Sequence, residues 1–267
     1  MNLAIWVKKP YRNNKLFDTN SPLNRDDCLM VFSLLKSKLE KNGWQCNTYD
    51  VCVSDKASID CILYLDMPRK STIHRHKKEH DMPKMMLILQ ESGVIIPRND
   101  RQNNHHYFDA ILTWRSDWIE RKSYIACYYP LSYSHEEKNY NDKDLFCILV
   151  AANKFSSSKN ELYSLRRKFI RFAIHRKMQD FYLYGRGWNY RVLNIKILGN
   201  NVNKILKRIK FKKNNPVYKG AIDNKADVQK RAIFSICFEN AKNYPGYITE
   251  KIHDCFKYGV IPVYYGA

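Results

Sequence analysis

The stretch that decides the fold is residues 234–267, FSICFENAKNYPGYITEKIHDCFKYGVIPVYYGA. Its first residues, Phe234–Phe238, form an apolar run typical of a buried strand, and polar residues follow at once. A Pro-Gly loop then leads to a predicted helix from Thr249 to about Tyr258, and Val260–Tyr264 is a second apolar run. Strand, helix and strand in this order predict a parallel unit of an α/β protein.

Polar side chains gather just after the first of these strands. Glu239 and Asn240 lie at its carboxyl end, where open α/β sheets bind their ligands. The helix that follows begins near Thr249, and its free N–H groups suit a phosphate. Lys251 in its first turn opposes the usual preference for carboxylates there, so we expect an anionic ligand to supply the negative charge. A capped helix with ordinary surface charges is the alternative.

The same alternation extends toward the N-terminus. A helix is predicted over Asp26–Lys41, with Gly43 ending it. The predicted strands of this region are Leu3–Val7, Cys46–Val53, Ile59–Leu65, Met85–Leu89 and Ala110–Trp114. The polar stretch Ser134–Asp144 then breaks the pattern, which predicts a domain boundary near residue 140.

A second alternating series follows that boundary. Its predicted elements are the strand Leu145–Ala151, a helix over Asn160–Lys177, the strand Phe181–Tyr184, a basic helix from about Val202, and the stretch quoted above. The predicted fold is therefore α/β, with two tandem Rossmann-like domains over residues 1–140 and 141–267.

Charge narrows the class of partner without choosing one. Lys and Arg number 46 against 26 Asp and Glu, so the net charge is +20 and the partners should be anionic: nucleic acid, a membrane surface or a phosphate-bearing substrate. The segment Lys204–Lys219 could lie on anionic lipid, although a solvated surface helix is favoured. No apolar run approaches the ~18 residues of a membrane span. We expect a soluble, cytoplasmic protein, with peripheral contact at the inner face of the membrane left open.

A metal site is not expected. The eight cysteines are scattered without a C-x-x-C pair, and several sit in apolar runs as small buried side chains. His76 and His80 share a helical face close to His74, yet they lie among Lys and Arg residues that repel a cation.

Several motifs together carry a family resemblance. F-E-N at 238–240, a short Gly-containing loop, Y-I-T-E-K at 247–251, a helix and I-P-V-Y-Y-G at 261–266 closely resemble the signature of the α1,3/α1,4-fucosyltransferases, glycosyltransferase family 10. Further matching positions are Glu91-Ser92 with Pro97 and Asn99, Phe108-Asp109-Ala110, Thr113-Trp114, Leu165-Arg166 with Phe169, Tyr184-Gly185 with Gly187-Trp188, and Lys225. The resemblance covers residue 85 to the last residue. It implies the two-domain glycosyltransferase-B (GT-B) architecture, and since the family's donor domain continues further, the second domain is expected to be incomplete.

The resemblance also implies the site residues. The donor-binding positions are Arg166, Arg167, Lys225, Asn240, Tyr247, Glu250 and Lys251. Arg166 matches the pyrophosphate-binding arginine of the family, with the adjacent Arg167 as the alternative, because a guanidinium fork suits two phosphate oxygens. Lys251 suits the pyrophosphate, Glu250 suits sugar hydroxyls, and Lys225 is a weaker third cation.

The same resemblance implies the reaction. Glu91 matches the proposed general base of an inverting transfer of L-fucose from GDP-fucose to a hydroxyl of an acceptor oligosaccharide or glycolipid. A rim carboxylate paired with Arg98 is the alternative. No cofactor is required, although Mn²⁺ or Mg²⁺ could stimulate the reaction. A lipopolysaccharide unit is the expected acceptor, and no nucleic acid is expected. Two other functions stay open: a non-catalytic basic module that binds nucleic acid or anionic surfaces, and the same fold with another GDP-sugar.

Overall fold

The fold consists of two α/β units. A computed structural model describes residues 1–80, 83–128, 143–189 and 215–266. The chain divides into Met1–Ser132 and Tyr133–Ala267, whereas the sequence predicted a boundary near residue 140. Each unit has one parallel sheet with helices between its strands, so the prediction of two tandem Rossmann-like domains is confirmed.

The first unit is built on a six-stranded parallel sheet. Its strands are β1 (Asn2–Trp6), β2 (Gln45–Thr48), β3 (Cys61–Leu65), β4 (Lys84–Leu89), β5 (Ala110–Thr113) and β6 (Tyr124–Ala126), in the order β2-β1-β3-β4-β5-β6. Its helices are α1 (Met30–Lys41), α2 (Tyr49–Ser54) and α3 (Lys70–Glu79), with short 3₁₀ turns at Lys9–Tyr11, Lys15–Phe17, Arg25–Asp27 and Gln102–Tyr107. One apolar cluster covers each face of the sheet, as expected for parallel strands.

Two predicted elements of the first unit differ from the structure. Helix α1 begins at Met30 rather than Asp26, since Asp26 and Asp27 have φ of +55° and +59°, outside the helical region. It ends as predicted, with Gly43 at φ +79°. The predicted strand Cys46–Val53 is wrong in its second half, because the strand ends at Thr48 and α2 buries Cys52 against the sheet.

The second unit is built on a five-stranded parallel sheet. Its strands are β7 (Leu145–Val150), β8 (Phe181–Tyr184), β9 (Tyr218–Gly220), β10 (Ala232–Phe238) and β11 (Ile261–Tyr265), in the order β11-β10-β7-β8-β9. Its described helices are α4 (Tyr163–His175), α5 (Ala226–Gln229) and α6 (Glu250–Lys257). The basic helix predicted from about Val202 falls, as far as residue 214, on residues that the structure does not describe. The last two residues of the segment Lys204–Lys219 belong to β9.

Strand β11 forms one edge of this sheet. One face of β11 carries Ile261, Val263 and Tyr265, which pair with Phe234, Ile236 and Phe238 of β10. Further along the sheet, α4 covers this same face. On β11 the three side chains stay 54%, 49% and 48% exposed. The other face of β11 packs toward α6 through Tyr264.

Each sheet has one point where the strand order reverses. In the first sheet, β1 lies between β2 and β3, so the chain moves to opposite sides of β1 in turn. In the second sheet, β7 lies between β8 and β10 in the same way. Ligands of such sheets bind at the carboxyl ends of the strands beside these switch points. The residues that follow β1, β3, β7 and β10 are therefore the first candidates for function. Within the described residues, no helix is both long and apolar enough to cross a membrane.

Candidate active site

Arg166 bridges the switch point of the second sheet. Its Nη1 donates to the carbonyl of Ala152 after β7 (3.4 Å), and its Nη2 donates to the carbonyls of Phe238 (3.0 Å) and Glu239 (3.3 Å) at the end of β10. The residue is 3% exposed and its guanidinium lies 5.4 Å from the ring centre of Tyr163. Burial lowers the pKa of Arg166 to about 10, so it stays charged at neutral pH. Arg166 thus holds the two central strands together at the crevice.

Arg167 is the more accessible of the two arginines. It is half-buried, its Nη1 donates to the carbonyl of Lys154, and its Nη2 donates to Oγ of Ser164 at 3.0 Å. Burial lowers the pKa of Arg167 as well. The sequence left open which arginine serves a phosphate. Arg166 thus donates to main-chain carbonyls in the interior, whereas Arg167 is half-buried and donates near the surface.

A buried carboxylate organises the start of α6. Glu239 has a side chain that is 0% exposed, and its Oε1 accepts from the N–H of Thr249, the residue that precedes the helix, at 2.9 Å. Its Oε2 accepts from Oγ1 of Thr249 at 2.8 Å and from Nζ of Lys251 at 3.0 Å. The carboxylate therefore caps the helix from a neighbouring strand and neutralises the first lysine of that helix.

The charge that balances Lys251 comes from the protein. Its Nζ lies 3.0 Å from Glu239 and 3.5 Å from Glu250, so the negative charge that the sequence assigned to a ligand is already present. Burial favours the neutral form of Lys251, but Glu250 and Glu239 outweigh burial and raise its pKa. The side chain of Lys251 is 21% exposed, and its Nζ also donates to Oγ1 of Thr249 at 2.6 Å.

Lys225 joins the same charge network. Its Nζ lies 3.1 Å from Oδ2 of Asp254 and 3.9 Å from Oε1 of Glu250, both on α6. Burial disfavours the charged form of Glu250, but Lys251 and Lys225 prevail and lower its pKa to about 2. Two predicted donor-binding cations thus flank one predicted donor-binding carboxylate.

The remaining two predicted donor residues differ in exposure. Asn240 is half-buried, and its carbonyl accepts from the N–H of Leu162 at 3.1 Å, which ties the end of β10 to the start of α4. Tyr247 is 1% exposed and packs inside the loop, with its ring 6.4 Å from that of Tyr244. The structure therefore gathers all seven predicted residues around the carboxyl edge of one sheet, but it buries Arg166 and Tyr247.

The loop after β8 forms a close wall of this crevice. Gly185 has φ +122°, and a Cβ at this position would lie 2.1 Å from the carbonyl oxygen of Ala151. Trp188 donates through Nε1 to that same oxygen at 2.6 Å, and Asn153 donates to the carbonyl of Gly187 at 2.9 Å. Only glycine permits this approach, so the Gly-x-Gly-Trp segment is required to seat the loop against β7.

In the first unit, Asp66 holds the loop that carries Glu91. Asp66 follows β3 beside the switch point, is 8% exposed and has φ +62°. Its Oδ1 accepts from the N–H groups of Gln90 and Glu91, both at 2.9 Å, and from Nδ2 of Asn99 at 2.8 Å. Asn99 also donates to the carbonyl of Glu91 at 2.7 Å. The main chain of Glu91 is therefore fixed on both sides.

Sequence reasoning named Glu91 but missed Asp66. Glu91 is half-buried and lies two residues beyond the end of β4, as predicted. Arg98, its expected partner in the alternative interpretation, donates through Nε to the carbonyl of Met67 at 3.2 Å. Burial raises the pKa of Asp66, against the hydrogen bonds from Glu91, Asn99 and Gln90. An acidic residue directly after the apolar run Cys61–Leu65 was a signal in the sequence for this position.

The histidines of α3 form an aromatic cluster. His76 is fully buried, its Nδ1 lies 2.8 Å from the hydroxyl of Tyr64, and its ring stacks on Tyr49 at 4.1 Å. Burial lowers the pKa of His76 to about 4, and the hydroxyl of Tyr49 lies 2.8 Å from Nε2 of His80. Among the residues that the structure describes, no group of three His, Cys, Asp or Glu side chains could hold a metal ion.

Comparison with known proteins identifies the fold. No protein-family model matches the chain, and no curated protein matches it. An alpha-glucosyltransferase in complex with UDP and a 13-mer DNA containing a central A:G mismatch is similar over 99% of this chain and 79% of its own, with a TM-score of 0.56 and 11% identity. The chain has a GT-B glycosyltransferase fold.

Two further solved structures are more distant. One is an alpha-glucosyltransferase in complex with UDP-glucose and DNA containing an abasic site, at TM-score 0.47 and 12% identity over 84% of this chain and 66% of the other. The second is the glycotransferase of kitacinnamycin, at TM-score 0.40 and 10% identity over 100% of this chain and 80% of the other. At such identities the likeness concerns the fold and not the substrate.

Proposed function

We propose that the chain is an inverting glycosyltransferase that moves L-fucose from GDP-fucose to a hydroxyl of an acceptor glycan, in α1,3 or α1,4 linkage. The observation that carries the proposal is the set of cations at one crevice of a GT-B fold. Arg167 lies at the start of α4, and Lys225 and Lys251 lie about the start of α6, around the β7–β10 switch point. The same residues resemble those of the fucosyltransferase family, which supports fucose as the transferred sugar and a guanine nucleotide as its carrier.

The second unit would bind the donor through its diphosphate. Arg167 offers a guanidinium fork and Lys251 an ammonium group at a helix start, where main-chain N–H groups also favour an anion. When the sugar leaves, the diphosphate gains negative charge, and these cations would stabilise that charge most in the transition state. Glu250 would accept hydrogen bonds from sugar hydroxyls, since the lowered pKa keeps it ionised.

The first unit would supply the base. The acceptor oxygen attacks the anomeric carbon while its proton passes to the carboxylate of Glu91, and the bond from that carbon to the diphosphate oxygen breaks. The products are an inverted fucoside and GDP, with no covalent sugar–enzyme step. The cations of the crevice make a metal dispensable for this chemistry, and Mn²⁺ or Mg²⁺ stimulation stays an open alternative. The proposed acceptor is an oligosaccharide or glycolipid, such as a lipopolysaccharide unit, reached by peripheral contact with an anionic membrane.

Calorimetric titration with GDP, GDP-fucose, GDP-mannose and UDP tests the donor. We expect GDP and GDP-fucose to bind, and Arg167→Ala or Lys251→Ala to weaken both by a similar factor, on the order of 10- to 100-fold for a partly shielded charge-assisted contact. Arg176→Ala is the matched control, because Arg176 is an exposed arginine at the end of α4. Unchanged GDP affinity in both site variants would place the nucleotide elsewhere. If GDP-mannose bound more tightly than GDP-fucose, mannose would replace fucose in the proposal. If UDP bound more tightly than GDP, uracil would replace guanine.

Nucleic acid binding is the second candidate, favoured by the net charge of +20. It predicts binding to random duplex DNA that falls steeply with salt and that GDP does not compete. The proposal of a glycan acceptor predicts instead that DNA affinity is weak at physiological salt.

A further inference from the structure

Two buried thiols meet between β10 and α6. The sulfur atoms of Cys237 and Cys255 are 3.3 Å apart, and the two residues are 5% and 0% exposed. They lie 18 residues apart, one in a strand and one in a helix, and the apolar run around Cys237 predicts a small buried side chain there. Their burial fits that interpretation, but their contact adds chemistry to it.

Both thiols converge on the first turn of α6. The sulfur of Cys255 lies 3.4 Å from the carbonyl oxygen of Lys251, and the sulfur of Cys237 lies 3.5 Å from the same oxygen. Cys237 also lies two residues before Glu239, the carboxylate that caps α6. The pair therefore sits directly beneath the contact that fixes this helix to the sheet.

We propose that Cys237 and Cys255 are an oxidisable pair that forms a disulfide with a peroxide, and that this bond locks α6 onto β10. In the first step, the Cys237 thiolate attacks a peroxide oxygen, the O–O bond breaks, and a sulfenic acid and water form once a proton is transferred. In the second step, the Cys255 sulfur displaces the sulfenic oxygen as water. Two thiols and one hydrogen peroxide thus give one disulfide and two water molecules.

The two sulfur atoms are already in contact before any bond forms. A disulfide has sulfurs ~2.05 Å apart, so the two atoms must approach by roughly 1.3 Å from 3.3 Å. The hydrogen bond from Cys255 lowers the pKa of Cys237, which favours it as the attacking thiolate. Oxidation replaces the contact between the two sulfur atoms with a covalent bond beside the carbonyl of Lys251. The proposal does not depend on the sugar-transfer function.

Peptide mapping after oxidation tests the pair. The full chain carrying Cys28→Ser and Cys127→Ser, which removes the exposed thiol and the half-buried one, would be reduced, exposed to graded hydrogen peroxide, and labelled with N-ethylmaleimide in denaturant. We expect a cross-linked peptide joining Cys237 to Cys255, restored to free thiols by dithiothreitol. Adding Cys147→Ser is the matched control, because Cys147 is buried on the neighbouring strand and should not affect the cross-link.

Three results would overturn the proposal. The first is that maleimide labels both cysteines after peroxide doses that oxidise other buried thiols. The second is a cross-link that joins Cys237 to Cys147 instead of Cys255. The third is oxidation of Cys237 to a sulfinic acid without any cross-link. Thermal unfolding gives a second measurement on the same protein. The midpoint temperature for unfolding of the second unit should rise after peroxide treatment and fall back when reductant is added. The reason is that the disulfide limits the conformations open to the unfolded chain. Cys255→Ser should abolish this rise, and a rise that persists in it would also contradict the assignment.

Discussion

The two sheets place a buried carboxylate at the same point of the fold and surround it with different donors. Asp66 follows β3 and Glu239 follows β10, each beside the switch point of its sheet. Asp66 accepts from neutral groups, namely the N–H groups of Gln90 and Glu91 and the amide of Asn99. Glu239 accepts from Thr249 and from the ammonium of Lys251.

This difference assigns the two crevices different tasks. Neutral donors around Asp66 fix the path of the loop that carries Glu91. Glu239 instead pairs with Lys251 at a helix start, where Glu250 and Glu239 together raise the pKa of the lysine. The first crevice thus holds a loop through neutral hydrogen bonds, while the second is a set of paired charges at a helix start.

The largest expected effect comes from the acid that the first crevice supports. Glu91→Gln keeps the size of the side chain but cannot take a proton, so transfer to the acceptor should fall by roughly 10²–10⁴-fold while GDP-fucose affinity stays near wild type. Steady-state transfer rates and calorimetry on the same variant check both halves. The acid limb of the wild-type pH profile should also disappear from the residual activity, provided that chemistry limits the rate.

Glu120→Gln is the matched control for that variant, because Glu120 is an exposed carboxylate of the same unit. It should keep normal transfer and an intact acid limb. Near-normal turnover in Glu91→Gln would remove Glu91 from the mechanism. Loss of donor affinity together with turnover would indicate that the variant disturbs the fold instead.

Replacing each buried carboxylate with its amide tests the comparison between the two crevices directly. Glu239→Gln removes the buried partner of Lys251 but leaves Glu250 beside it, so the free energy of unfolding of the second unit should fall by about 2–3 kcal/mol. Asp66→Asn keeps an Oδ1 for all three neutral donors and tolerates the left-handed backbone, so the first unit should lose only about 1 kcal/mol. Hydrogen exchange measured on peptides of each unit separates the two losses.

Equal losses in the two variants would mean that the donor type does not distinguish the crevices. A larger loss for Asp66→Asn would reverse the comparison, since it would show that the charge of Asp66 stabilises its loop more than Glu239 stabilises α6. Lys159→Met serves as a general control in the second unit, because Lys159 is exposed and lies away from α6 in the sequence.

The strands were the most predictable part of the fold. Phe181–Tyr184 has the bounds that its apolar run predicted, and β4 differs from its prediction by one residue. The three-residue strands β6 and β9 were missed, because a run of that length has no distinguishable period. The predicted strand Cys46–Val53 failed since a short helix on a sheet buries the same kind of residue as a strand.

Part of the candidate site could be predicted from the sequence and part could not. The phase of α4 distinguishes its two arginines, because Arg166 stands on the same stripe as the buried Tyr163, Ile170 and Ala173, while Arg167 does not. The contact between Glu239 and Lys251 has no such pattern. The two residues are 12 apart across a loop, and only the folded loop brings them together.

The smallest expected effect tests whether the second crevice is electrostatically balanced. Lys225→Met keeps the stem of the side chain but removes the cation near Glu250 and Asp254. Two partly exposed ion pairs are lost, so at pH 7 the free energy of unfolding of the second unit should fall by only about 0.5–1 kcal/mol. Chemical denaturation at a series of pH values measures this gap against the wild type.

The pH dependence of the gap has a definite sign. The folded protein lowers the pKa of Glu250 from 4.5 to about 2, so this carboxylate stabilises the fold above pH 4.5 and loses its contribution as the pH falls toward 2. Lys225→Met removes one of the two cations that lower this pKa, so the variant has less to lose over the same window. The wild type should therefore lose stability more steeply with acid, and the gap should close as the pH approaches 2. A gap that stays constant or widens with acid would show that Lys225 stabilises the unit through packing rather than through its charge.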